Sequence, residues 1–365
     1  MKKKLLALLM AVVMVTSLTA CSSKKSTGDS DKTKTEATEA PASDDTASKS
    51  DFVVSMITDT GGVNDQSFNQ SAWEGLQELN KSTGAKVSYI ESKQETDYTT
   101  NLDKCVDDGS NLVWGIGFSM ADALKTAAST NPDVSYAIVD NSYGDQTPSN
   151  VTGVMFRAQE PSFIVGYIAG KTTTTGKVGF VGGISSDLID QFEYGYKAGV
   201  DYAANELGKK ITVDAQYAES FSDAAKGKAI ANKMFSDGCD IVFHAAGGVG
   251  VGVIEAAKEA NKFAIGVDRD QAYLAPKNVL TSALKLVGTA VKLVSEKAAK
   301  GEQIGGQTFT FGLTEDAVGI PDKNPNMDPA VYEAAMKVQQ SIKDGTIVPP
   351  SNKDTYKEFG KTLSK

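Results

Sequence analysis

From residue 51 onward the hydrophobic positions alternate between two rhythms. Short unbroken apolar runs, bounded by glycine, asparagine or serine, read as buried strands. Between them apolar residues recur three and four apart, the period of a helix with one buried face. A first series gives strand 52–57, helix 66–80, strand 86–90, helix 97–108, strand 111–116, helix 120–129 and strand 135–139. A second gives strand 177–181, helix 187–207, strand 211–217, helix 223–237, strand 240–245, helix 250–260 and strand 263–267. Val151 to Thr175 supplies a strand and a helix (Pro161 to Gly170) between the two series. Val279 to Lys285 is a candidate crossing strand, followed by a helix to about Lys300, a strand over Thr308 to Leu313 and a helix over Pro329 to Lys343. The tail after Pro349 receives no element.

Strands alternating with helices of this length imply βαβ units and parallel sheets. The two series also match in detail. Asp108-Gly109-Ser110-Asn111-Leu112-Val113 answers Asp237-Gly238-Cys239-Asp240-Ile241-Val242, and Ala137-Ile138-Val139-Asp140 answers Ile265-Gly266-Val267-Asp268. The expected fold is therefore α/β, with two doubly wound parallel-sheet lobes whose carboxyl strand ends face one cleft. Residues 51–140 plus about 269–283 are expected to form the N-terminal lobe, and 141–268 plus about 284–320 the second. Residues 321–365 have no assigned lobe. Three crossings, near residues 140, 268 and 283, would make a three-strand hinge.

The first fifty residues are of another kind. Lys2, Lys3 and Lys4 precede an apolar run from Leu5 to Val15 that ends in Leu18-Thr19-Ala20-Cys21. A basic start, an apolar stretch too short to span a bilayer and small residues before a cleavage point make 1–20 an export signal. Ser22 to Ser50 is polar with one proline and no apolar period, so 21–50 reads as a solvated tether. As a coil it spans on the order of 30 Å. Loss of 1–20 removes three lysines and no acids, taking the net charge from 37 − 46 = −9 to 34 − 46 = −12. So acidic a chain offers no basic field to nucleic acid. Apart from Cys21, only Cys105 and Cys239 remain, too few for a disulfide framework and placed in different lobes. They are expected to be free, buried thiols. With His244 the only histidine, no His-based metal cluster can form, and no cofactor is expected.

Candidate chemistry gathers at the expected ligand edge. Thr58 to Gly75, TDTGGVNDQSFNQSAWEG, closes one strand and opens one helix. Asn64 or Asp65 can cap that helix, whose Phe68, Ala72, Leu76 and Leu79 repeat at helical spacing. This stretch places Asp59, Asn64, Phe68 and Asn69 around one mouth. Asp140 and Asp268 close equivalent strands of the two lobes. Phe221, in Glu219-Ser220-Phe221-Ser222-Asp223, follows a strand of the second lobe and could face Phe68 across the cleft, a pair suited to a flat heterocycle. Asn69, Asp59 and Asp140 would then read the ring edge, Asp268 would take hydroxyl groups, and Lys285 would supply a donor and counter-charge. The residues alone leave Phe221 open between jaw and core, and Lys285 between counter-charge and solvated strand end. His244 to Gly252, with Gly247, departs from G-x-G-x-x-G but could bring glycine N–H groups to a diol-bearing ligand. No serine or cysteine sits in a nucleophile elbow, and no catalytic residue is assigned. A sugar or other diol receptor would keep the aspartates without needing either phenylalanine. Paired carboxylates also leave room for a nucleoside hydrolase.

The run Asp59-Thr60-Gly61-Gly62-Val63-Asn64-Asp65-Gln66-Ser67-Phe68-Asn69-Gln70 resembles the signature of the basic membrane protein family. The likeness extends from about Asp51 to Pro321. It takes in Phe180-Val181-Gly182-Gly183, Ala245-Ala246-Gly247-Gly248, Gly266-Val267-Asp268 and the segment from Ser282 to Lys285. Leu-Thr-Ala-Cys is similar to the lipobox of bacterial lipoproteins, which implies lipidation at Cys21 and a cell-membrane anchor facing outward. The family comprises lipoproteins, including purine nucleoside receptors, that serve ABC importers. The resemblance implies a type I periplasmic-binding-protein fold and a solute receptor, not an enzyme, that delivers a purine nucleoside such as inosine, guanosine or adenosine to a permease and its ATPase. By the same resemblance Phe68 stacks on the base beside Asn69, Phe221 covers its other face, Asp268 holds ribose and Lys285 is the strand lysine.

Overall fold

The structure, a computed structural model, describes residues 51–363. The export signal, Cys21 and the tether expected over 1–50 lie outside the described residues. The chain runs β1 (Val53–Thr58), α1 (Phe68–Thr83), β2 (Lys86–Ile90), α2 (Asp97–Asp107), β3 (Leu112–Ile116), α3 (Ala121–Thr130), β4 (Ser135–Val139) and β5 (Val151–Phe156). It continues through α4 (Gln159–Thr172), β6 (Lys177–Gly182), α5 (Asp187–Leu207), β7 (Thr212–Tyr217), α6 (Ala224–Ser236), β8 (Ile241–Ala245), α7 (Val249–Ala260) and β9 (Phe263–Asp268). Last come β10 (Val279–Lys285), α8 (Val287–Ala299), β11 (Gln307–Phe311), β12 (Val318–Gly319), α9 (Pro329–Lys343) and α10 (Lys353–Leu363). Among the described residues no helix is long and apolar enough to cross a membrane.

Two six-stranded sheets result, in the orders β11-β5-β4-β3-β1-β2 and β12-β10-β9-β8-β6-β7. Every pairing is parallel except the short β12, which runs antiparallel to β10. β3 and β8 are buried along their whole length, as expected of central strands covered by helices on both faces. Their apolar runs, LVWGI and IVFHA, the second broken only by His244, made them legible. This is the two-lobe architecture of a type I periplasmic-binding protein. Cys105 and Cys239 are free and buried.

Lobe membership departs from expectation at three places. β5, expected in the second lobe, pairs with β4 from Tyr136↔Val151 onward and lies inside the first sheet. β10, expected in the N-terminal lobe, lies in the second sheet between β9 and β12. α8 and β11, expected in the second lobe, belong to the first. β11 pairs with β5, and α8 packs on α1 so closely that a Cβ on Gly75 would stand 2.1 Å from the Gly288 carbonyl oxygen. The chain therefore crosses between lobes after β5, after β10 and after β11, near residues 157, 286 and 312 instead of 140, 268 and 283. The cause is physical. An apolar run announces a strand, but the partner whose N–H and C=O groups complete its ladder lies far away in sequence.

The crossings are tied together. Arg157 donates its N–H to the Phe311 carbonyl at 2.8 Å, and its guanidinium reaches Glu160 at 2.7 Å, Thr314 at 2.9 Å and Glu315. Leu286 N–H donates to Ala317 O at 2.9 Å. α9 packs on α4 and α10 on α5, which gives residues beyond 321 to the second lobe. α10 was not anticipated. Its apolar anchor is Phe359, edge-on to Phe163 at 5.5 Å, with Tyr356 bonded to Asp201 at 2.6 Å.

Candidate functional site

The carboxyl ends of both sheets open on one cleft of about 590 Å³, part of it open to solvent. The enclosed part of that space measures about 60 Å³. Of the expected residues, Asp59, Phe68, Asn69, Asp140, Phe221, Gly247, Asp268 and Lys285 all line it.

Asn64 does not. It is exposed, because Gln66 in the turn adopts a left-handed backbone (φ 58°) that sends Asn64 to solvent and Asp65 inward. Asp65 does the work expected of a cap, accepting N–H groups from Ser67, Asn69 and Gln70 at 2.9, 2.8 and 3.1 Å. α1 consequently begins at Phe68, two residues later than its apolar pattern suggested. Asn69 is held by the same group, donating its Nδ2 to Asp65 at 3.0 Å and to Asp59 at 2.8 Å. With Nδ2 committed to two carboxylates, Asn69 Oδ1 is a buried acceptor without a protein partner.

Asp140 and Asp268 leave β4 and β9 with left-handed backbones, φ 65° and 64°. Such conformations in residues other than glycine are uncommon and gather at functional sites. Lys285, only 2% exposed, pairs with Asp140 and lies over the rings of Phe68 at 4.7 Å, Phe156 at 5.2 Å and Phe192 at 5.8 Å. Asp140 Oδ1 remains a second buried acceptor without a partner. Asp268 accepts from the Ser67 hydroxyl across the cleft.

Four carboxyl groups thus share the cleft with one ammonium. Desolvation by burial dominates each of them, raising Asp59 and Asp268 to about 6 and Asp65 and Asp140 above their ordinary value. Lys285 opposes the rise at Asp140 and Asp268 without cancelling it.

The aromatic wall is larger than expected. Phe221 meets Phe118 of the other lobe edge-on, 6.4 Å between centroids and 81° between planes, and Phe192 from α5 adds a further ring. Gly183 makes room for Phe221, since a Cβ there would stand 2.1 Å from the ring. Gly247 has φ 54° and passes beside the Phe221 carbonyl. The N–H groups of Val249, Gly250 and Val251 are already spent on the carbonyls of residues 246–248. His244 is a packed strand residue. Gln271 Oε1 accepts a bond from Val267 N–H and also faces His244 Nε2, so that nitrogen carries the proton, and burial holds the imidazole down at about 4.

Sequence reasoning missed Asp65 as a lining residue, together with Gly117, Phe118, Ser119, Leu188, Ile189 and Phe192. Gly117-Phe118 follows β3 at the same ligand edge that identified the others, a signal that was present. Leu188, Ile189 and Phe192 form part of α5's apolar face, and nothing in its period separates cleft from core.

The family model described as ABC transporter substrate-binding protein PnrA-like, of the Bmp family, matches residues 52–353. The chain belongs to the Bmp family. This Bmp protein is therefore similar throughout its folded body to substrate-binding components of ABC transporters. It is 40% identical over 373 residues to the ABC transporter nucleoside-binding protein BmpA of Lactococcus lactis subsp. cremoris, covering 96% of this chain and 100% of that one. It is 42% identical over 311 residues to basic membrane protein A1 of Borrelia garinii subsp. bavariensis, covering 84% of this chain and 90% of the relative. Among solved structures, the Bmp protein matches an ABC transporter solute-binding protein from Aeropyrum pernix K1 with a TM-score of 0.77 and 26% identity, over 86% of this chain and 97% of that one.

Proposed function

We propose that this substrate-binding protein captures a purine nucleoside and, held at the membrane by a lipid on Cys21, hands it to an ABC permease and its ATPase. The observation that carries the reading is the division of the cleft into two kinds of wall. Phe68, Phe118, Phe192 and Phe221 offer ring faces and edges, and the unpartnered polar atoms among them, Asn69 Oδ1 and Asp140 Oδ1, are acceptors. A buried acceptor is costly until a donor reaches it. The fitting guest is flat, carries N–H and O–H donors and bears no phosphate, because three more carboxyl groups line the same space. Phe68 and Phe221 cover the base, Asp59 and Asn69 read its edge, and Asp268 with Lys285 takes the ribose. The nucleoside-binding name of the Lactococcus relative supports this reading.

No chemistry is required of the site. A ligand touching both lobes favours the closed form by its differential affinity for that form. Stacking at roughly 1–3 kcal/mol per ring and charged hydrogen bonds at about 1.5–3 kcal/mol each reach micromolar affinity after the costs of binding. Calorimetry with inosine, guanosine, adenosine and ribose tests the proposal. Nucleosides should bind at least a hundredfold more tightly than ribose, a ratio of roughly 2.7 kcal/mol. Ribose binding as tightly as inosine would make the protein a sugar receptor.

A further inference from the structure

The cleft is bridged by contacts that a ligand inside it does not touch. In the first lobe they involve Gln66 and the first turns of α1; in the second, the loop Arg269–Tyr273 between β9 and β10. Gln271 is fully buried. Its Oε1 accepts from Val267 N–H at 3.0 Å and from His244 at 2.9 Å, and its own N–H donates to Ser282 Oγ at 3.1 Å. Fixed in this way to its own lobe, Gln271 sends Nε2 across to the Gln66 carbonyl at 3.0 Å. The Tyr273 hydroxyl donates to Gln66 Oε1 at 2.7 Å. Arg269 Nη1 lies 3.1 Å from Glu74 Oε1, with its guanidinium 5.7 Å over the Tyr273 ring. None of these five residues lines the pocket.

Each contact joins groups on opposite sides of the hinge, so rotation of the lobes apart breaks it. Part of the free energy of closure is then independent of any ligand. The apparent affinity of a receptor scales with the population of its binding-competent form. The geometry points to a latch, Gln66 with Gln271 and Tyr273 and Glu74 with Arg269, that sets the receptor's affinity from outside the pocket without choosing among ligands. The inference rests on the proposed function only in needing a cleft that closes on its guest.

Tyr273→Phe, at an exposed position, and Arg269→Glu, at a half-buried one, test the latch in the mature chain. Calorimetry and stopped-flow binding with inosine, guanosine and adenosine should show the double variant weakened for all three by one common factor, about tenfold, carried by faster dissociation. Ligand-free X-ray scattering should show a larger radius of gyration than wild type. The charge swap Glu74→Arg with Arg269→Glu should recover most of the loss caused by Arg269→Glu alone. Unchanged affinity, a factor that differs among the three ligands, or an unchanged ligand-free radius would overturn the latch. If no nucleoside binds the wild type, the ligand class fails, and the latch stands or falls on the ligand-free radius alone.

Discussion

Asp268→Asn isolates one oxygen atom of the site. Asp268 Oδ2 already accepts from Ser67, which leaves Oδ1 for a hydroxyl of the ligand. The residue is 5% exposed and has φ 64°, a conformation that asparagine tolerates, so the substitution keeps the turn and removes the charge. A hydrogen bond to a charged acceptor contributes about 1.5–3 kcal/mol, a factor of roughly 10–150 in affinity. Calorimetry at pH 8 with inosine, 2′-deoxyinosine and 3′-deoxyinosine, on wild type and variant, closes a cycle between the carboxylate and each hydroxyl. The variant should bind inosine about 10–150-fold more weakly, yet lose far less toward the deoxynucleoside lacking the contacted hydroxyl. The pH dependence follows from burial. With its pKa raised to about 6, Asp268 is an acceptor carboxylate above that pH and a protonated acid below it. At pH 5 the wild type should approach the variant. If Asp268→Asn weakens inosine and both deoxynucleosides by the same factor, Asp268 does not hold the ribose.

Three other expectations follow from the same geometry. Phe68→Ala and Phe221→Ala should each weaken nucleosides by about 1–3 kcal/mol while leaving weak ribose binding unchanged, as read by calorimetry; equal losses for ribose would contradict stacking. Gly183→Ala places a methyl group 2.1 Å from the Phe221 ring, so it should push the ring into the cleft and weaken inosine about tenfold or more with little change in melting temperature. For stability, Asp59 and Asp268 have folded pKa values raised to about 6 from 3.8, so their contribution is full below 3.8 and lost as pH rises through about 6. His244, lowered to about 4 from 6.5, contributes in the opposite direction, above 6.5 and lost toward 4. Between pH 7.5 and 5.5 these opposing contributions nearly cancel, and the ligand-free melting temperature of the wild type should change little on acidification. That of the Asp59→Asn/Asp268→Asn variant should fall, and identical slopes would refute the assignment.

The sequence alone determined which elements form and which strand ends carry polar chemistry, because both are local. Short apolar runs such as LVWGI and IVFHA can be little else than buried strands, and the matching Asp140 and Asp268 mark the same edge of two similar sheets. Parallel sheets put that edge at one cleft, which is why eight of the expected site residues reached it. Only the tertiary structure decided how the lobes share the chain. β5, β10, α8 and β11 are assigned by ladders and helix contacts between distant residues, and hydrophobic period carries no record of a partner. It also decided between Asn64 and Asp65, adjacent polar residues that the left-handed Gln66 turns in opposite directions. Phe192 and the Gln66–Gln271 bridge emerged for the same reason. A side chain's role in a cleft depends on what the other lobe brings to face it, and that meeting exists only once the chain has folded.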